Sequence, residues 1–122
     1  MMTFYLEEKE KISLKSFDSM SLLEKMGDER HFTVYVNNHV FIDDICLLVK
    51  EFISYALDWL KNRSTDFVFN SIDDDENPLI AFYKLKQGWK LVSVWQKFMC
   101  DDFFSDDEVI HFVNDIISQT TF

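Results

Sequence analysis

The sequence predicts an α+β fold: an antiparallel sheet with a long helix packed on one face and a further helix at the C-terminus. Three observations carry this expectation. Asp43 to Asn62 contains neither Gly nor Pro and repeats apolar side chains at helical spacing. Alternating segments meet in pairs at Asn37-Asn38 and at Gln87-Gly88, residue types that suit tight hairpin turns. Ser105-Asp106-Asp107-Glu108 has the form of a capping box ahead of a periodic apolar stretch.

At the N-terminus, Phe4 and Leu6 alternate with Thr3 and Tyr5, and Ile12 and Leu14 alternate with Ser13 and Lys15. These read as two edge strands or one long one, with the charged run Glu7 to Lys11 discouraging unwanted pairing. Asp18 suits the cap of a short helix through Ser19–Met26, ended by Gly27. His31–Ile42 reads as a hairpin with Phe32, Val34 and Val36 on one face and a short second arm that leads into the long helix.

In that helix Ile45, Leu48, Val49, Phe52, Ala56, Trp59 and Leu60 share a face, widened by Ile53, Tyr55 and Leu57. Lys50, Glu51, Ser54, Asp58 and Lys61 fill the opposite side. The helix would be about 30 Å long, and so broad an aromatic face calls for a sheet beneath it. Asp43 and Asp44 are placed to cap its start, and Lys61 and Arg63 to complement its end. Cys46 falls at the border of the apolar arc and reads as a packed thiol.

Thr65–Ile72 is strand-like, and Asp73 to Pro78 is a loop. Leu79–Leu85 and Trp89–Phe98 form the next hairpin. A turn at Gln87-Gly88 sets Tyr83 opposite Val92 and Ala81 opposite Val94, making with Leu79 and Leu85 a floor for the long helix. The other face carries Trp89, Leu91, Ser93 and Trp95, and needs either a second layer or a partner. Met99 to Phe104 reads as a loop. The last helix runs from the capping box to about Gln119, with Val109, Phe112, Val113 and Ile116 inward and His111, Asn114, Asp115 and Ser118 in water.

The 122 residues suit one domain, 1–122, and 48% hydrophobic residues with 13 Phe can bury a substantial core. Two Gly and one Pro argue against disorder and repeats. No apolar run reaches the roughly 18 residues of a membrane span, and the start lacks the pattern of a signal peptide. Two distant Cys imply no disulfide framework, which suits a reducing cytoplasm. A net charge of −10 disfavours direct nucleic-acid or anionic-membrane binding and suits a basic protein partner.

Catalytic patterns are missing from the sequence, so no enzyme and no cofactor is expected. His31, His39 and His111 fall in three different elements, and neither Gly27 nor Gly88 builds a nucleophile elbow or phosphate loop. Asp73, Asp75 and Asn77 begin like a calcium loop, but Pro78 stands where Gly is required and Lys84 where Glu is required. Zinc spacing is missing too. Cys100 sits among carboxylates that would raise a thiol pKa.

Asp43, Asp106, Asp107 and Glu108 have helix ends to serve. Asp73, Asp74, Asp75, Glu76, Asp101 and Asp102 do not. The expected hairpin register brings these six to one end of the sheet, beside Ile80 and Trp95. Trp89 or Trp95, rimmed by carboxylates, is the composition of an interface hot spot.

The segments FTVYVNN, DWLKN, DDDENPLIAF and GWKLVSVWQKF, followed by the capped terminal helix, resemble small bacterial immunity proteins such as those of contact-dependent growth inhibition. The resemblance runs from Phe32 to the end and is one of size, acidity and layout. It implies a non-catalytic, one-to-one inhibitor of a cognate toxin domain, often a nuclease with a basic cleft. Acidic side chains would there take the place of substrate phosphates. The alternative expectation is a small acidic adaptor or regulatory subunit bound to another cytosolic protein.

Overall fold

Seven strands divide between two antiparallel sheets, as seen in a computed structural model that describes residues 1–14, 20–72 and 75–122. The first sheet has the order β1-β2-β3, from Met2–Leu6, Glu29–Val36 and His39–Leu48. The second has the order β4-β5-β6-β7, from Phe67–Phe69, Ile80–Leu85, Gly88–Val92 and Phe103–Phe104. Among the described residues three helices complete the fold: α1 (Leu22–Lys25), α2 (Val49–Lys61) and α3 (Asp106–Thr120). The α+β class with antiparallel pairing is therefore observed, with the strands shared between two sheets.

The β2–β3 hairpin turns at Asn37-Asn38, both at positive φ (50° and 68°), as a two-residue turn of this hand requires. Its second arm is longer than expected. Asp43 to Leu48 belongs to β3, so the helix starts at Val49 and is 13 residues long. The cause is a pair of register shifts between β2 and β3. Asp44 takes φ 46°, its N–H donates to Thr33 Oγ1 at 2.9 Å, and the added residues are absorbed as a bulge. Bulging mimics helical spacing by burying Phe41 and Ile42 and then Leu47 and Leu48. Asp43 and Asp44 hence cap nothing; α2 starts after Leu48 with no side-chain cap. Cys46, expected to pack, is exposed on β3 with its Sγ 3.4 Å from Glu29 Oε2.

α2 and α3 cover one face of the second sheet. Phe52 packs on Phe67 and Phe69, and Trp59 meets Phe67 and Trp89 edge-on at 5.2 and 5.9 Å. Phe112 of α3 touches Phe82 on one sheet and Phe4 on the other, and so joins the two. One core cluster runs from Leu6 to Ile117 through both sheets and both long helices. Burying side chains of this size is the main force holding the layers together. The capping box at Ser105 is present as expected, with Glu108 N–H donating to Ser105 Oγ at 3.2 Å. No described helix is long and apolar enough to cross a membrane.

The N-terminal segment forms one strand, β1, while Ile12 makes only a parallel bridge to Thr121. The short helix is α1, and Ser21 caps it by accepting from Glu24 N–H. Asp18, the expected cap, lies outside the described residues. Arg30, 1% exposed, ties this region down by donating to both Asp28 carboxylate oxygens at 2.8 and 3.0 Å and to Glu10 carbonyl at 2.9 Å.

Candidate functional site

The hairpin β5–β6 sets the geometry of the candidate surface. Its turn is Lys86-Gln87, with Leu85 opposite Gly88, Lys84 opposite Trp89, Phe82 opposite Leu91 and Ala81 opposite Val92. The expected turn lay one residue later, which moves every pairing by two and leaves the faces intact. Gly88 explains the difference. It sits inside β6 at φ 132°, and a Cβ there would lie 2.8 Å from Phe104 carbonyl oxygen. This glycine serves the close approach of β7 rather than the turn.

The two faces have exchanged their expected roles. The face of Ile80, Phe82, Trp89 and Leu91 is the buried one, packed under α2 and α3. Tyr83 is half-buried and Leu85 and Val94 are exposed on the other face, although Leu79 and Ala81 are buried. Trp89, at 3% exposure, is therefore a core residue and no surface anchor. Its Nε1 donates to the Asp106 carboxylate and Lys84 Nζ stands 5.5 Å from its ring centroid. Trp59 and Trp89 face each other across a helix and a sheet, and aromatics of this size bury a large apolar area there.

Trp95 is different. β6 ends at Val92, and the chain then folds through bends rather than continuing as a strand to Phe98. Ser93 makes the break: its Oγ donates to Leu79 carbonyl at 2.6 Å and accepts from Trp95 N–H at 3.0 Å. Trp95 is 42% exposed, and Val94, Phe98 and Met99 are exposed beside it in sequence. Val94 N–H donates to Pro78 carbonyl (2.9 Å) and Lys97 N–H to Phe41 carbonyl (2.8 Å), so the stretch spans from the β4–β5 loop to β3. Phe98 packs edge-on against Phe41 at 5.4 Å.

Carboxylates flank this stretch on both sides. Asp75 and Glu76, exposed, lead into Asn77 and Pro78. Their loop is anchored by Glu51, whose two oxygens accept from Ile72 N–H at 3.2 and 3.1 Å, and by Asn77 Oδ1, which accepts from Ser71 N–H at 2.9 Å. Glu51 was expected on the water side of its helix but is buried, because it closes this loop. Asp101 and Asp102 are exposed and follow Met99 and Cys100. Asp102 accepts from Asn37 Nδ2 at 2.6 Å, which fixes it against the β2–β3 turn. Asp73 and Asp74 lie outside the described residues. The sequence missed β7, a two-residue strand against Trp89 and Lys90 that follows these carboxylates and fixes their position along the sheet.

The other candidates for chemistry have plain structural surroundings. His111 pairs with Asp115 at 3.1 Å in water, and His31 with Asp44 at 2.8 Å, both exposed. Burial pushes the Cys100 thiol pKa up, with the Asp102 and Asp101 charges adding to that and the Asp102 backbone and Lys90 opposing it. A thiol so placed is a poor nucleophile. Among the described residues no group of three or more His, Cys, Asp or Glu side chains is arranged to hold a metal ion.

The molecule is thus an acidic α+β domain with an exposed aromatic stretch between two carboxylate loops. Residues 2–120 match the model of a family described as a domain of unknown function, DUF7878, and the chain belongs to that family. Comparison with curated proteins and with solved structures finds no match.

Proposed function

We propose that this protein is a non-catalytic binder and inhibitor of a basic protein partner, and specifically an immunity protein that neutralises a cognate toxin domain, a nuclease in the leading case, in the cytoplasm. The observation that carries the reading is the surface at Val94 to Asp102. Trp95, Phe98 and Met99 stand exposed there, and Asp75, Glu76, Asp101 and Asp102 flank them. An aromatic anchor ringed by charge is how energetic hot spots are built, and a net charge of −10 would steer a cationic partner toward it. Carboxylates at such a surface can pair with the Lys and Arg that a nuclease uses for phosphates.

The test is co-expression with the product of the adjacent upstream reading frame, scoring cell survival and co-purification. The reading expects that product to kill alone, and to be neutralised in a stoichiometric complex. Trp95→Ala combined with Met99→Ala, both at exposed positions, should abolish rescue while leaving the fold intact. A harmless or non-binding neighbour would remove the toxin assignment.

A further inference from the structure

β1 lies at the border of the first sheet, with β2 on one side and, among the described residues, no strand on the other. Two bonds fix which backbone groups face the open side. Asn37 N–H donates to Met1 carbonyl at 2.8 Å, and Glu7 N–H donates to His31 carbonyl at 2.9 Å. Bonded and non-bonded pairs alternate along an antiparallel ladder. With Met2 opposite Val36 and Leu6 opposite Phe32, residues Met1, Thr3, Tyr5 and Glu7 turn their N–H and C=O groups toward β2. Met2, Phe4 and Leu6 turn theirs outward. Gln119 of α3 uses this direction: its Nε2 donates to Leu6 carbonyl at 3.0 Å. Among the described residues, nothing takes the outward groups of Met2 and Phe4.

Two concavities, of about 480 and 490 Å³, adjoin this edge and share Phe4. One is lined by Met1 to Phe4 and by Glu108, His111, Phe112 and Asp115 of α3; the other by Phe4 to Glu8 and Gln119. Their linings carry Glu7, Glu8, Glu108 and Asp115 and no Lys or Arg. The Met1 ammonium is already engaged, donating to Asn37 Oδ1 at 2.7 Å, and the His111 ring faces Asp115. The other sheet borders offer less. β3 is met by Lys97 at Phe41, β4 has three residues and β7 two.

We propose that β1 accepts an added strand from the partner: an extended segment bearing Lys or Arg, paired through its backbone with Met2 and Phe4 and with the N–H of Leu6, the Leu6 carbonyl staying with Gln119. Its basic side chains then reach Glu108 and Asp115 on α3. Backbone pairing supplies affinity, and the alternate side chains supply selectivity. The proposal rests on the reading above that the partner is a basic protein. Asn37 makes the edge continuous with the aromatic surface, because its side chain bonds both the Met1 ammonium and the Asp102 carboxylate.

The experiment uses the full chain and two synthetic peptides of about eight residues. One alternates Lys with Val; the control has the same charge with Pro in place of Val, which removes half of its backbone N–H groups. Amide hydrogen exchange by NMR reads the edge. The Lys-Val peptide should slow exchange at Phe4 and Leu6 by about tenfold or more. Thr3, Tyr5 and Glu7, already bonded to β2, should change little. The Pro peptide should bind at least about tenfold more weakly. Glu8→Lys with Asp115→Lys, both exposed positions, should weaken the Lys-Val peptide by a similar factor. Equal binding of the two peptides, or binding without protection of Phe4 and Leu6, would overturn strand addition; so would no binding at millimolar peptide. Trp95→Ala should leave peptide binding unchanged, so loss of the toxin reading and loss of strand addition give different results.

Discussion

Replacing Trp89 with alanine tests the exchange of the hairpin faces. Trp89 is 3% exposed, meets Trp59 at 80° and 5.9 Å, and donates its Nε1 proton to Asp106. A buried Trp removes roughly 150 to 250 Å² from water. At about 25 cal/mol/Å² this is about 4 to 6 kcal/mol for the whole residue. Alanine keeps part of that area, and truncation of buried Trp costs about 3 to 5 kcal/mol. In a domain of 122 residues each kcal/mol moves the Tm by about 3 to 6 °C, so Trp89→Ala should lower it by roughly 10 to 25 °C. Trp95→Ala, at a position 42% exposed, should cost about 1 kcal/mol or less. Trp89→Phe should fall between them, since it keeps most of the apolar contact and loses the bond to Asp106. Urea titration and thermal melts of the three variants measure these differences. A Trp89→Ala cost below about 1 kcal/mol, or a Trp95→Ala cost equal to it, would refute the assignment of faces.

Five further outcomes follow from individual contacts. Glu51→Ala leaves Ile72 N–H without its carboxylate and should cost about 1 to 3 kcal/mol by urea titration, with Glu51→Gln recovering part of it. Asp28→Ala strands the buried Arg30 guanidinium and should cost about 3 to 5 kcal/mol, whereas Asp28→Ala with Arg30→Met should be milder than the sum of the single changes. Gly88→Ala meets both a φ of 132° and the Phe104 carbonyl, and should lower the Tm measurably, while Gln87→Ala in the turn should not. In thiol labelling of the native protein Cys46 should react first and Cys100 only on opening. Because burial raises the Cys100 pKa, its protonated form favours the fold. That contribution is complete below the ordinary thiol pKa and is lost as pH rises toward the folded value, so Cys100→Ala should flatten the alkaline limb of stability.

Local chemistry was legible in the sequence wherever one residue type has one good use. Asn37-Asn38 turned where expected, Ser105 and Glu108 closed the capping box, and Val109 to Ile116 buried the side that their spacing indicated. What failed were decisions that depend on distant parts of the chain. Ile45 and Leu48 continue the period of α2, yet β2 claims them as a strand with bulges, because pairing with seven residues of β2 outweighs one more helical turn. Gly88 looked like a turn residue, since the approach of β7 that requires a glycine there comes from fifteen residues later in the chain. Both faces of the β5–β6 hairpin are partly apolar; the pattern pointed to the Tyr83 face as the floor for the helix, whereas Trp59 with Phe112 cover the Trp89 face. Of the residues singled out for a binding surface, Trp95, Asp75, Glu76, Asp101 and Asp102 are exposed, while Trp89 belongs to the core.

The most direct test of the proposed binding surface is the association rate of the complex obtained by co-expression, measured against ionic strength. The comparison is between the native protein and a variant in which Asp75, Glu76, Asp101 and Asp102 are changed to the corresponding amides. These changes keep the acceptor that Asn37 uses at Asp102 and remove only charge. At low salt the variant should associate at least about tenfold more slowly, with a shallower salt dependence and little change in dissociation rate. An unchanged association rate at low salt would contradict the claim that these carboxylates guide a basic partner to Trp95.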